Sequence, residues 1–327
     1  MASSMLSESR SGRRILWLAV AIVVAALAYT GLWFYLARAL EERAEATLAA
    51  LNGGGVRAHC EEPEARGYPF RIGLFCRSVF YENARTGVSF RAGAFRSAAQ
   101  VYQPFRTVGE LDGPATVLLP VGEALEAEWE NLRASVRLAR PLPERVSLEI
   151  RQLALSARDG DGAPLATADD VQLHARQAEA DLDLAAAFSG LRLGASLVPG
   201  LPALEGRARL TVDNGVTLLA EHTFDPRGRS GTIQQLIVGV TGEAAELSVS
   251  GPVSVGADGL IDAELSVRVE EPAAVGRILA EAFPEERQNI MTAAAAFSGL
   301  GDTPLQIRIA RGRVFAGFIP LGRIPPL

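Results

Sequence analysis

The sequence contains no lysine; all 32 basic residues are arginine. We read this as a GC-rich coding bias rather than a functional demand. No Gly-Lys-Ser/Thr phosphate loop occurs, and no Gly-x-Gly-x-x-Gly follows a strand, which disfavours nucleotide chemistry. Histidine is nearly as scarce. His59, His174 and His222 are scattered without His-Glu-x-x-His spacing, which disfavours a zinc hydrolase, and no Gly-x-Ser-x-Gly elbow occurs. His174 alternates with Leu173 and Ala175, as an outward polar residue of a strand does. Asp181 and Asp183 flank Leu182 at period two, the pattern of a wet strand face, and Asp169-Asp170 reads the same way. An exported hydrolase would need a convergent His, carboxylate and hydroxyl. The expectation is therefore a non-enzymatic protein with no catalytic residue, no metal ligand and no cofactor.

Aromatic residues are only 6% of the chain, while 48% is apolar and Gly and Pro number 32 and 18. That balance suits many short apolar strands joined by turns, with few long helices. The formal charge is −6; three of the 32 basic residues and one of the 38 acids precede the long apolar run, leaving 29 against 37, or −8, for the rest. Nucleic acid is not an expected partner, because binding it needs a basic patch to replace condensed counterions.

Residues 15–36, ILWLAVAIVVAALAYTGLWFYL, carry no charge. At about 1.5 Å per residue they span roughly 33 Å as a helix, matching a hydrocarbon core of about 30 Å. Trp17 marks one end, and Trp33, Phe34 and Tyr35 mark the other, as rings at the headgroup boundary do. A cleaved signal peptide is the rival, but its apolar region is shorter and ends in small residues, whereas Leu32 to Leu36 is bulky. Arg10, Arg13 and Arg14 precede the span; beyond it Arg38 and Arg43 are diluted by Glu41, Glu42 and Glu45. The positive-inside rule then predicts a cytoplasmic segment 1–14, a single-pass transmembrane helix 15–36 in the bacterial inner membrane, a helical stalk 37–55 and a periplasmic β-rich domain 56–327.

Cys60 and Cys76 are the only cysteines, with fifteen residues between them. In an oxidising compartment a disulfide is expected. A zinc site would want more Cys or His at close spacing, and a redox pair is usually Cys-x-x-Cys.

Past Gly55 the chain alternates at period two. Ile261, Ala263, Leu265, Val267 and Val269 point one way, with Asp262, Glu264, Ser266, Arg268 and Glu270 opposite. Similar runs occur at Leu247 to Val255, at Leu305 to Ile309 and at Ala208 to Val212. At Val146, Leu148, Ile150 the phase slips to Leu153 and Leu155, as a bulge at Arg151 or Gln152 requires. Ala257-Asp258-Gly259 and Asp213-Asn214-Gly215 read as turns joining antiparallel neighbours. A helical insertion is expected near 273–298, broken at Pro284, and Asp302-Thr303-Pro304 returns the chain to strand. Pro199-Gly200-Leu201-Pro202 is the best candidate for a domain boundary. The fold class is thus mostly β: a large antiparallel curved sheet, either a closed sandwich or an open groove. A dozen one-faced strands with few helices leave an apolar face that something must shield, and a sandwich is the commoner solution. An open groove would instead hold something apolar, lined by Val146, Leu148, Ile150, Ile261, Leu265 and Val267.

Three passages carry a resemblance. Gly67-Tyr68-Pro69-Phe70-Arg71 between the cysteines, the Asp258-Gly259-Leu260 hairpin, and Ile309 to Phe315 followed by Ile319-Pro320-Leu321-Gly322 resemble a domain-of-unknown-function family of single-span bacterial envelope proteins. More remotely, the strand-turn-strand passages look like AsmA-like and TamB-like proteins. That resemblance implies a β-groove associated with lipid handling and envelope homeostasis, with lipid as a ligand. The exported part is too short to bridge an envelope alone, which points to a shuttle, chaperone or regulator. Tyr68 before Pro69 reads as extended backbone in a turn, with Phe70 entering the next strand. The alternative function is a structural or scaffolding envelope protein, a closed sandwich binding a protein partner by its strand edges.

Overall fold

The computed structural model describes residues 8–120, 124–139, 142–160, 162–220, 225–301 and 303–327; His222 and Asp302 lie outside them. The uncharged run and the strong helix formers after it make one unbroken helix, α1, Glu8–Leu51. Asn52 ends it: its side chain accepts from Ala58 N at 2.6 Å and donates to Ala58 O at 3.0 Å, turning the chain back on itself. The part of α1 beyond Leu36 lies along the first strands, with Ala37 buried and Glu41 accepting from Ala65 N at 2.7 Å.

Everything after α1 is one antiparallel meander. Its first five strand paths are each broken in the middle: β1 and β2 (Val56–Cys60, Glu64–Arg66), β3 and β4 (Arg71–Cys76, Val79–Asn83), β5 and β6 (Val88–Ala92, Phe95–Gln100), β7 and β8 (Gln103–Leu111, Ala115–Leu118), β9 and β10 (Leu125–Glu128, Asn131–Arg137). The halves pair consistently, β1 with β4 and β2 with β3, and so on across. The breaks therefore align into a crease. Beyond it come the long strands β11 (Arg145–Ala157), β12 (Pro164–Ala178), β13 (Asp181–Leu193), β14 (Leu204–Val212), β15 (Arg229–Val240), β16 (Glu246–Val255) and β17 (Ile261–Glu270). The shorter β18 (Leu305–Ala310), β19 (Arg313–Ala316) and β20 (Ile319–Arg323) close the series. β11 receives β10 along its first half and β9 along its second.

The crease runs on into the long strands. Gln152 adopts φ 51 at the phase slip between Ile150 and Leu153, but the register to β12 is the same on both sides of it, so the expected bulge is instead a kink with no inserted residue. On β13, Gly190 (φ 60) sits so close to β12 that a Cβ would lie 1.9 Å from Asp169 Oδ2, so only glycine fits. Small residues beside the crease are buried: Ala92, Ala115, Ala127 and Ala168. Trp129 braces it, donating from Nε1 to Leu111 O at 2.8 Å. At the free edge Cys60 and Cys76 form a disulfide joining the ends of β1 and β3 across the crease.

The sheet stays open and does not close on itself, so the sandwich expectation gives way to the groove. The chain exposes 21380 Å², against roughly 13,000 Å² for a compact globule of this mass. The projecting half of α1, a cylinder about 10–12 Å across, accounts for only part of that excess. Two turn readings also change. Asp213-Asn214 does not form a tight hairpin but leads into a short helix, α2 (Gly215–Ala220), before β15. Pro199 to Pro202 is a connection between the paired neighbours β13 and β14, not a boundary. Ala257-Asp258-Gly259 is the expected hairpin turn, with Gly259 at φ 78. The helical insertion is a pair, α3 (Pro272–Ala282) and α4 (Arg287–Leu300), packed closely enough that a Cβ on Gly276 would lie 2.5 Å from that of Ala294.

Candidate functional site

Cross-strand neighbours on one face form the unit of packing in a sheet, and here they align into an unbroken apolar row. Ala134, Leu148, Leu173, Ala186, Ala208, Leu236, Val249, Val267 and Leu305 are successive partners on nine adjacent strands, β10 to β18. At about 4.8 Å per strand the row is roughly 38 Å long. A second row runs beside it from Leu132 and Ile150 through Val171, Phe188, Gly206, Val238 and Leu247 to Val269. A third begins at Val136 and Val146 and passes Ala175, Leu184 and Leu210 to Ile233. Val146, Leu148 and Ile150 thus each start a row on β11, and Leu265 and Val267 with Ile261 lie on the corresponding face of β17. All six are half-buried, and Leu173, in the middle of the first row, is 45% exposed.

At one end of this face α2 overhangs β13 and, with β14–β16, bounds a pocket of about 610 Å³ that is open to solvent. Leu182, Leu184, Leu210, Val212, Ile233, Val253 and Val255 form its floor and walls, with Leu218 and Pro226 above. Such a volume lies within the range of about 300–1,000 Å³ usual for small-molecule sites, which are also mostly apolar. The alternation Leu182, Leu184, Ala186, Phe188 carried the signal for this wall in the sequence; α2, six residues long, had none.

The opposite face is polar. Arg176 donates to Asp183 Oδ2 at 2.5 Å and Thr211 to Asp183 Oδ1 at 2.8 Å. Arg176 first, then Thr211, holds the Asp183 carboxyl below its ordinary range.

A model of the family described as an uncharacterised protein conserved in bacteria, DUF2125, matches residues 33–325. The chain belongs to this family. The DUF2125 match begins at Trp33 and takes in the last part of α1, the cysteine pair, all the strands of the apolar face and the closing β19 and β20. No curated protein and no solved structure matches the chain. In this DUF2125 chain α1 is the one described helix long and apolar enough to cross a membrane, and no residue of its most apolar window is buried within the molecule.

The groups that a hydrolase would bring together do line one concavity on the polar face: Ser147, His174 and Asp183. Ser147 and His174 are direct cross-strand partners. Among the described residues, however, no hydrogen bond joins His174 to either group, and Asp183 is engaged by Arg176 and Thr211. His59 lies opposite Phe80 on β4, far along the chain from that face. Asp169 pairs with Arg192 at 3.3 Å and Asp170 accepts from Gln172 at 2.8 Å. No cluster of three or more His, Cys, Asp or Glu suited to a metal occurs among the described residues.

Proposed function

We propose that this protein is a non-enzymatic lipid-handling module of the bacterial cell envelope. It is anchored in the inner membrane by residues 15–36, with its N-terminus cytoplasmic and its sheet periplasmic. The observation that carries the reading is the apolar face: three cross-strand rows, uncovered along most of their length and ending in an open apolar pocket. Water on so long an apolar surface is unfavourable by about 25 cal/mol per Å², and an acyl chain laid along the rows would relieve it. The Cys60–Cys76 bond agrees with an oxidising compartment. The remote likeness to AsmA-like and TamB-like proteins points the same way.

The test is site-specific photocrosslinking in cells. A benzophenone side chain at Leu236, on the apolar face, should capture phospholipid or free fatty acid, and one at Arg209, on the opposite face, should not. Equal capture at both sites, or none at Leu236, defeats the proposal.

One observation favours a second reading, in which strand edges hold another envelope protein. β20 is exposed throughout and has a partner only in β19, with Phe318, Ile319 and Leu321 outermost. An open apolar edge can accept an added strand. A crosslinker at Phe318 that recovers a single reproducible protein would favour it.

A further inference from the structure

The Gly67-to-Arg71 passage that the fold uses as the β2–β3 turn has a second role. It is clamped to α1 inside the uncharged run. Tyr29 donates to Pro69 O at 2.5 Å, Trp33 Nε1 donates to Arg71 O at 2.9 Å, and Thr30 and Tyr68 share a hydrogen bond of 2.8 Å through their hydroxyls. The Trp33 and Tyr68 rings meet edge to face at 5.4 Å, and Phe34 stacks on Tyr68 at 6.0 Å. Two more of the loop's carbonyls are used as well: Gly67 O accepts from Arg71 N, and Phe70 O from Val101 N. Backbone carbonyls need such partners where water is absent, because an unpaired one costs several kcal/mol in hydrocarbon. An aqueous turn has no such requirement.

The clamp also sets depth. α1 runs antiparallel to the first strand path, with Trp33 beside Arg71, Glu41 beside Ala65 and Asn52 beside Ala58. The strands near α1 therefore lie along its axis, and their tips point back down it toward Tyr29. From Leu36 to Tyr29 is roughly 10 Å along a helix. The neighbouring tips carry apolar side chains with nothing over them: Phe70 is 70% exposed, Tyr102 71% and Phe105 68%, with Leu138 beside Phe105. Phe70 O is bonded to Val101 N, and Phe105 O to Leu138 N, so these tips are contiguous. Arg71 and Arg106, both exposed, directly follow Phe70 and Phe105, Arg71 as the first residue of β3 and Arg106 as the fourth of β7.

We propose that these tips form a membrane-seating surface, whose partner is the headgroup and acyl boundary of the leaflet from which α1 emerges. Phe70, Tyr102 and Phe105 enter it by roughly 5–10 Å, the depth usual for interfacial apolar faces, and the two arginines meet the lipid phosphates. The inference rests on α1 spanning the membrane but not on the apolar face carrying lipid.

It is tested with the full chain reconstituted into vesicles of equal parts phosphatidylethanolamine and phosphatidylglycerol. A benzophenone side chain is placed in turn at Phe70, Tyr102, Phe105 and, as a control on the far edge, Phe318. All four positions are exposed, so the substitutions leave packing untouched. Lipid adducts at the three tips, at least about tenfold above Phe318, support the seat. Tip adducts no more frequent than at Phe318 overturn it. A Leu236 crosslinker in the same vesicles reports the apolar face independently; lipid at Leu236 with bare tips defeats the seat alone, and lipid at the tips with a bare Leu236 defeats lipid carriage alone.

Discussion

The sheet on the two sides of β11 is built from the same alternating strands, yet the two regions behave as opposites. Before β11 every strand path is broken, small alanines are buried at the breaks, and a disulfide and the Trp129 indole tie the halves together. After β11 the strands run long, bending only at single positions such as Gly190, and most of their apolar side chains stay half-exposed. The difference lies in what each region packs against. Where the sheet bends sharply, small residues are needed because its halves approach; where it bends less, larger apolar side chains stay along an open face. The creased region is also the one that packs against α1.

The largest effect that would test this contrast is removal of the edge staple. Replacing both Cys60 and Cys76 with alanine should cost about 3 kcal/mol by the loop-entropy account, seen as a lower urea midpoint. A loss below about 1 kcal/mol would mean that the crease holds without it. Next comes overpacking: Ala115→Leu, at a buried crease position, should cost about 1–3 kcal/mol. Leu173→Ala, the matched change on the uncovered face, should cost under about 1 kcal/mol, far from the 2–5 kcal/mol typical of a closed core. If thermal or urea unfolding shows Leu173→Ala as damaging as Ala115→Leu, the long strands are covered and the contrast fails.

The smallest effect concerns the polar face. Because Asp183 has its pKa lowered by Arg176 and Thr211, it favours the folded state above the unfolded carboxylate value near 3.9, and that contribution is lost as pH falls through the depressed folded value. At a surface pair it amounts to about 1 kcal/mol or less. The stability gap between wild type and Asp183→Asn should be constant from neutral pH down to about 5 and shrink in stronger acid. A gap that widens in acid would show that the Arg176 pair does not act on the carboxylate in this way.

Much of this was legible in local pattern. Alternation at 261–269 named a one-faced strand, the slip between Ile150 and Leu153 marked the place where Gln152 kinks the strand, and Asp258-Gly259 named its turn. Local pattern fails where a short run could end or bend. Gly93, Asp112 to Pro114 and Trp129-Glu130 each look like a turn between separate strands, and only the shared registers reveal bent continuations. Asp213-Asn214-Gly215 has the residues of a hairpin, but the chain passes over Leu182 into α2 instead. The apolar face was partly visible. Its β11 and β17 residues stood out by their bulk, while Ala186 and Ala208 in the same row are too small to announce a binding surface.

What the sequence by itself determined is the period of each segment, the uncharged run and the two cysteines, because backbone pleat, helix length and thiol count depend on neighbours along the chain. Tertiary structure alone decided that the sheet stays open, that nine strands bring their apolar residues into one row, and that the Gly67-to-Arg71 turn is held by Tyr29 and Trp33. Those outcomes depend on register and on contacts between residues some 13 to 40 positions apart, where the gain from pairing has to exceed the loop-closure entropy of the chain between them.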